Sequence, residues 1–157
     1  MSPNEIFDEM VVRLGELLGR EFTRDDDGTW MLELAAGRVT VCLSFRRESG
    51  QALAFARIGE LPECEPAFAE ARARALLQAN AFWKETGGFT LGLDPETRQL
   101  VAVDRRGLAE LPSEEHLASW VDALVELVEG VRSDLGRFSD MAEIAAEGGL
   151  AEEEVRA

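Results

Sequence analysis

The chain has 157 residues and carries 31 acidic against 16 basic side chains, a formal net charge of −15. That field repels nucleic-acid phosphate and anionic lipid, which excludes both as first partners; it favours solubility and cationic partners. At 46% apolar residues, the chain is too hydrophobic for general disorder, and it is long enough for one domain with a core that buries about 70% of the unfolded surface.

Ser2-Pro3-Asn4-Glu5 opens a helix: Ser2 caps, Pro3 suits the first helical position and Glu5 completes a capping box. Ile6, Phe7, Met10, Val11, Leu14, Leu17 and Leu18 then recur at helical spacing, and Gly19 is placed to stop the helix. Arg24 to Gly28 reads as a loop. Its Asp25-Asp26-Asp27 triplet lacks the alternating ligands and closing Glu of a calcium loop, so it is read as a solvated acidic turn.

Three strand patterns follow. Trp30, Leu32 and Leu34 alternate with Met31 and Glu33; Val39, Val41, Leu43 and Phe45 alternate with Thr40, Cys42 and Ser44; Leu53 and Phe55 alternate with Ala52, Ala54 and Ala56. Ala35-Ala36-Gly37 and Arg46 to Gly50 are short links, which implies antiparallel neighbours. The large side chains are expected to meet a helix layer, leaving the small ones on a thinly covered face.

Glu63-Cys64-Glu65-Pro66 opens a second helix to about Ala81, rich in alanine, with Leu76, Leu77, Phe82 and Trp83 clustered at its end. Either it packs across the sheet or it packs against its copy in a dimer. After Gly87-Gly88, the residues Phe89, Leu91 and Leu93 share one face of a strand. Asp94-Pro95-Glu96-Thr97 supplies the turn and Leu100 to Val103 resumes a strand. Ser113, Glu114 and Glu115 start a third helix with a broad apolar stripe from Leu117 to Leu135, and Gly136 can end it. The acidic remainder, 137–157, is read as an extension: a short helix around Phe138 to Ala146, then a frayed, solvated end.

No reaction centre emerges. His116, the one histidine, sits in the first turn of a helix with no HExxH partner. A GxSxG elbow and a phosphate loop are both missing. The carboxylates are many but unplaced, tyrosine is absent, and Arg105-Arg106 is too short for a nucleic-acid patch. Cys42 and Cys64 match no redox or zinc spacing and read as reduced thiols. The opening MSPNEIFDEM lacks the basic and apolar regions of a signal peptide, and no window approaches a membrane span. The expectation is a cytoplasmic, non-catalytic binding protein whose function comes from apolar surface and from sheet edges that can accept an extended peptide.

One stretch is specific. The helix end Leu76 to Asn80, the aromatic pair Phe82-Trp83, then TGGFTLGLDPETRQLV and Arg105-Arg106, resembles the Tir-chaperone (CesT-type) family of class I type III secretion chaperones. The element order fits that resemblance over residues 1–136. It implies an α+β fold with a twisted antiparallel sheet in the order α-β-β-β-α-β-β-α, helices one and three on one face and helix two at a two-fold interface.

The resemblance further implies a homodimer that holds the N-terminal segment of a secreted effector in extended form, with no nucleotide or other cofactor. Under it, the dimer residues are Ala73, Leu76, Leu77, Phe82, Trp83, Phe89 and Leu91, and the effector-binding residues are Phe7, Met10, Met31, Val101 and Val103. A YbjN-like regulatory or sensory module on the same fold is the first rival. A small-molecule-binding protein or enzyme is the second, and the absence of any paired catalytic motif leans against it.

Overall fold

The computed structural model describes residues 1–156, apart from the side chains of 138, 139 and 142–156. Helix α1 (Pro3–Leu18) leads to strands β1 (Thr23–Arg24), β2 (Trp30–Leu34), β3 (Val39–Arg46) and β4 (Gln51–Glu60). Helix α2 (Pro66–Asn80) follows, then β5 (Thr90–Leu93), β6 (Gln99–Gly107) and helix α3 (Glu114–Arg156), with 3-10 turns at Ala81–Trp83 and Leu108–Glu110. One sheet runs in the order β1-β2-β3-β4-β6-β5, and every neighbouring pair is antiparallel. The α+β class, the antiparallel sheet and the three helices agree with expectation. The sixth strand does not: Thr23, given no element, and Arg24, read as loop, pair with Met31 and Trp30.

The local signals at α1 are met as read. Ser2 and Glu5 form the reciprocal capping box, and Gly19 closes the helix in the left-handed region at φ 66°. Helices α1 and α3 cover one face of the sheet, burying Phe7, Met10, Val11 and Leu14 from α1 and Leu117, Trp120, Val121, Leu124 and Val128 from α3. Trp120 anchors this layer. Its ring stacks on Phe89 at a centroid distance of 6.4 Å, and its indole N–H donates to Asp104 Oδ2 at 2.9 Å.

Two expectations are overturned. On β4, the face under the helices is the small one: Ala52, Ala54 and Ala56 are fully buried, while Leu53 and Phe55 lie on the opposite face, half-buried. Register fixes this, because Ala54 and Ala56 stand opposite the core residues Leu43 and Val41. Alanine at the sheet centre lets α3 approach closely. The second concerns Gly136, which does not end α3; the backbone stays helical to Arg156. A single interior glycine costs about 1 kcal/mol relative to alanine, too little to stop a helix flanked by good formers. The backbone of the extension is therefore helical beyond Ala146, while Ala157 lies outside the described residues.

Candidate partner-binding surfaces

Helix α2 stands apart from the core. None of its residues is buried, and only Leu76 and Ala79 lean on the apolar cluster. What ties it down is the Asn80 carboxamide. Its Nδ2 donates to the Leu91 carbonyl and its Oδ1 accepts from the Leu91 N–H, both at 2.8 Å. Asn80 thus imitates one residue of a neighbouring strand and closes the β5 edge.

The turn after Asn80 is strained and apolar. Phe82 and Trp83 both take the left-handed region, at φ 62° and 54°. That conformation costs roughly 1–2 kcal/mol for a residue with a side chain. Phe82 is 93% exposed, Trp83 57% and Leu77 71%. Large apolar side chains held out in a strained backbone mark a surface meant to be covered.

The face of the sheet opposite α1 and α3 is the second surface. A row runs straight across it by register: Met31 to Cys42, Cys42 to Phe55, Phe55 to Val103, Val103 to Thr90. A parallel row includes Arg57 and Val101, and beside the first lie Leu53 and Arg105. At the β2 end the face deepens into a cavity of about 640 Å³, with Asp25 and Asp27 on its rim and Arg38, Arg57 and Arg132 around it. Arg132 is committed to structure: its guanidinium donates to the carbonyls of Ile58, Arg38 and Arg57, closing the bulge where β4 slips against β6 between Arg57 and Gly59. Burial pushes the Cys42 thiol above its ordinary range, so it sits in this row as a small apolar group.

A third surface lies at the β1 edge of the sheet, on the side of α1. β1 is two exposed residues long and forms the open edge. Beside it, Val12, Gly15, Gly19, Phe22 and Trp30 help line a groove of about 650 Å³ between the edge and α1. Gly15 is needed there: a Cβ would stand 2.7 Å from the Arg20 carbonyl oxygen of the chain passing over it. Trp30 is fixed by its indole N–H donating to Asp8 Oδ1 at 3.0 Å, with Arg24 paired to the same carboxylate at 3.1 Å.

Of the residues expected at a dimer interface, Ala73, Leu77, Phe82 and Trp83 are exposed and Leu76 is half-buried, all on or just after α2. Phe89 and Leu91 are corrected: their side chains belong to the protomer core, Phe89 against Trp120. Of the residues expected to hold an effector, Met31, Val101 and Val103 lie on the open sheet face. Phe7 and Met10 are corrected too, because they point into the core under α1. The apolar residues that α1 does expose are Ile6, Val12, Leu17 and Leu18. Sequence reasoning missed Val12, Phe22, Leu53 and Phe55 as surface candidates. The off-stripe position of Val12 was an available signal; for Phe22, beside a two-residue strand, there was none.

His116 stays at the exposed start of α3, its Nδ1 2.7 Å from Ser113 Oγ. Among the described residues no cluster of ligating side chains could hold a metal, and no helix is long and apolar enough to cross a membrane.

The model of the Tir chaperone protein (CesT) family matches residues 10–132, from the middle of α1 to the last packed turns of α3. The chain belongs to the Tir chaperone family. No curated protein matches it. Among solved structures, the ExsC–ExsE complex is similar with a TM-score of 0.72 at 18% identity, covering 86% of this chain and 97% of that one. The HopA1–SchA chaperone–effector complex is similar with a TM-score of 0.68 at 18% identity, covering 83% and 95%. The ExoT–SpcS complex from Pseudomonas aeruginosa is similar with a TM-score of 0.56 at 20% identity, covering 81% and 97%. Identities this low establish a shared fold. Within the Tir chaperone fold, this chain leaves α2, one face of the sheet and the β1 edge exposed.

Proposed function

We propose that the protein is a homodimeric chaperone that binds the N-terminal segment of a type III secretion effector in extended form and keeps it competent for export. Membership of the Tir chaperone family supports the class of activity. The observation that carries the reading is the asymmetry of the sheet. One edge, β5, is closed by Asn80; the other, β1, is open beside an apolar groove. An extended segment can add its backbone to β1 and place alternate side chains in the groove lined by Val12, Phe22 and Trp30. A segment held this way is kept from folding or aggregating before export.

The dimer reading rests on α2. With Leu77, Phe82 and Trp83 exposed, a two-fold partner would cover apolar area that a monomer leaves in water. Residues from 137 onward, past the family match, are taken as an extension of α3 outside the chaperone domain.

The test is co-expression with candidate effector N-terminal segments, followed by mass determination in solution. Two copies of this chain with one extended segment is the expected complex. A monomer by light scattering, together with no segment retained, overturns the reading.

A further inference from the structure

Resting on the export-chaperone reading, we propose that the open face of the sheet receives an amphipathic effector segment whose apolar side chains are flanked by carboxylates. The whole chain carries nearly two acids for each base, 31 against 16. The open face of β2 to β6 reverses that excess. It carries Arg46, Arg57 and Arg105 against two acids, Glu33 and Glu60, the latter opposite Gln99. None of these three arginines enters an ion pair among the described residues.

Their placement is regular. Arg57 stands opposite Val101 and Arg105 opposite Leu53, so the two guanidiniums bracket the apolar Phe55–Val103 pair from either side. A strand or helix lying across Phe55 and Val103 would bring its flanking positions to both. Arginine suits the task, since its planar fork binds a carboxylate through two parallel hydrogen bonds. The chain contains a single lysine, Lys84, and it lies elsewhere.

Two opposing charges bear on the choice. Asp25 and Asp27 stand at the β2 end of the cavity, where Arg38 is paired with Glu129 at 3.0 Å and Arg132 is engaged by main-chain carbonyls. Arg57 lines the same cavity as these two carboxylates and Glu60 stands at the Gln99 end of the β4–β6 pair, so the basic part of the face is the stretch from Arg57 across Phe55 and Leu53 to Arg105 and Arg46. The body of the protein also repels an acidic segment. At physiological salt, however, exposed charges beyond about 8 Å are largely screened, so the nearby guanidiniums decide. Remote repulsion then works as a filter: an acidic chain without apolar residues in the right places gains nothing on this surface.

The experiment uses the full-length protein and two fluorescently labelled peptides of identical apolar pattern, one with Glu and one with Lys at the flanking positions. The Glu peptide should bind about tenfold tighter or more, with the advantage shrinking as salt rises. R57Q/R105Q should abolish the preference and R57E/R105E should invert it, with circular dichroism and solution mass unchanged. Equal binding of both peptides overturns the proposal. So does a co-expressed effector segment whose affinity ignores R57E/R105E, and in that case the export-chaperone reading stands. If no effector segment binds at all, that underlying reading fails instead.

Discussion

Replacing Asn80 with alanine removes two hydrogen bonds at once, and the structure sets the size of the loss. Both bonds are 2.8 Å long and half-buried, and they satisfy both main-chain groups of Leu91. A hydrogen bond of this kind contributes about 1 kcal/mol net, and a partner left dry costs more. Asn80→Ala should therefore lower stability by about 2–3 kcal/mol. Asn80→Asp keeps an acceptor for the Leu91 N–H but sets a carboxylate oxygen against the Leu91 carbonyl, so it should recover nothing at neutral pH. The assay is urea unfolding at one fixed protein concentration, since a dimer's midpoint moves with concentration. Hydrogen exchange at the Leu91 amide should accelerate to that of an unprotected edge. A loss below about 0.5 kcal/mol in Asn80→Ala, or unchanged exchange at Leu91, would refute the edge-closing role.

Leu77→Glu or Trp83→Glu should leave the protomer folded, because both side chains are exposed in it. Each should weaken the dimer by about 100-fold or more through a buried unpaired charge, read by light scattering over a dilution series. Gly15→Ala should destabilise by about 1–3 kcal/mol in chemical unfolding, since the added methyl meets the Arg20 carbonyl oxygen at 2.7 Å. Ala36→Gly should stabilise by about 1 kcal/mol, because Ala36 holds φ at 56° in the β2–β3 turn. Asp94 is held below its ordinary value, 3.8, first by the Glu96 N–H and then by the Thr97 hydroxyl, both of which favour the carboxylate. Its contribution is present above the ordinary aspartate range and is lost as pH falls through the lowered folded value. The stability gap between wild type and Asp94→Asn should therefore narrow on acidification below about pH 4.

Much of the fold was legible because its local signals agree with one another. The capping box at Ser2 and Glu5, the alternation in β2 and β3, and the Asp94–Thr97 turn each say one thing, and the Leu76 to Arg106 spelling carried the family. The site was harder to read because a binding protein keeps large apolar residues outside. On β4, size pointed Phe55 and Leu53 inward, yet the core took the alanines so that α3 could sit close. On α1, Leu17 recurs at the same helical spacing as Phe7 and Met10, so the stripe alone could not separate the exposed residue from the buried pair. Phe89 and Leu91 were assigned to the dimer with their exposed neighbours. Only the three-dimensional contact with Trp120 shows that the chain turns inward at Phe89.

The alternation along β4 has a consequence for how this protein can change. Odd and even positions answer to different demands: Ala52, Ala54 and Ala56 to the helix above them, Leu53, Phe55 and Arg57 to whatever lies below. A substitution at an even position must be matched by a shift of α3. A substitution at an odd position alters only the outward surface. One strand can therefore drift toward a new client while its scaffold stays constant. An engineer who wished to retarget the molecule would rewrite Leu53, Phe55, Val101 and Val103 and leave every alanine in place.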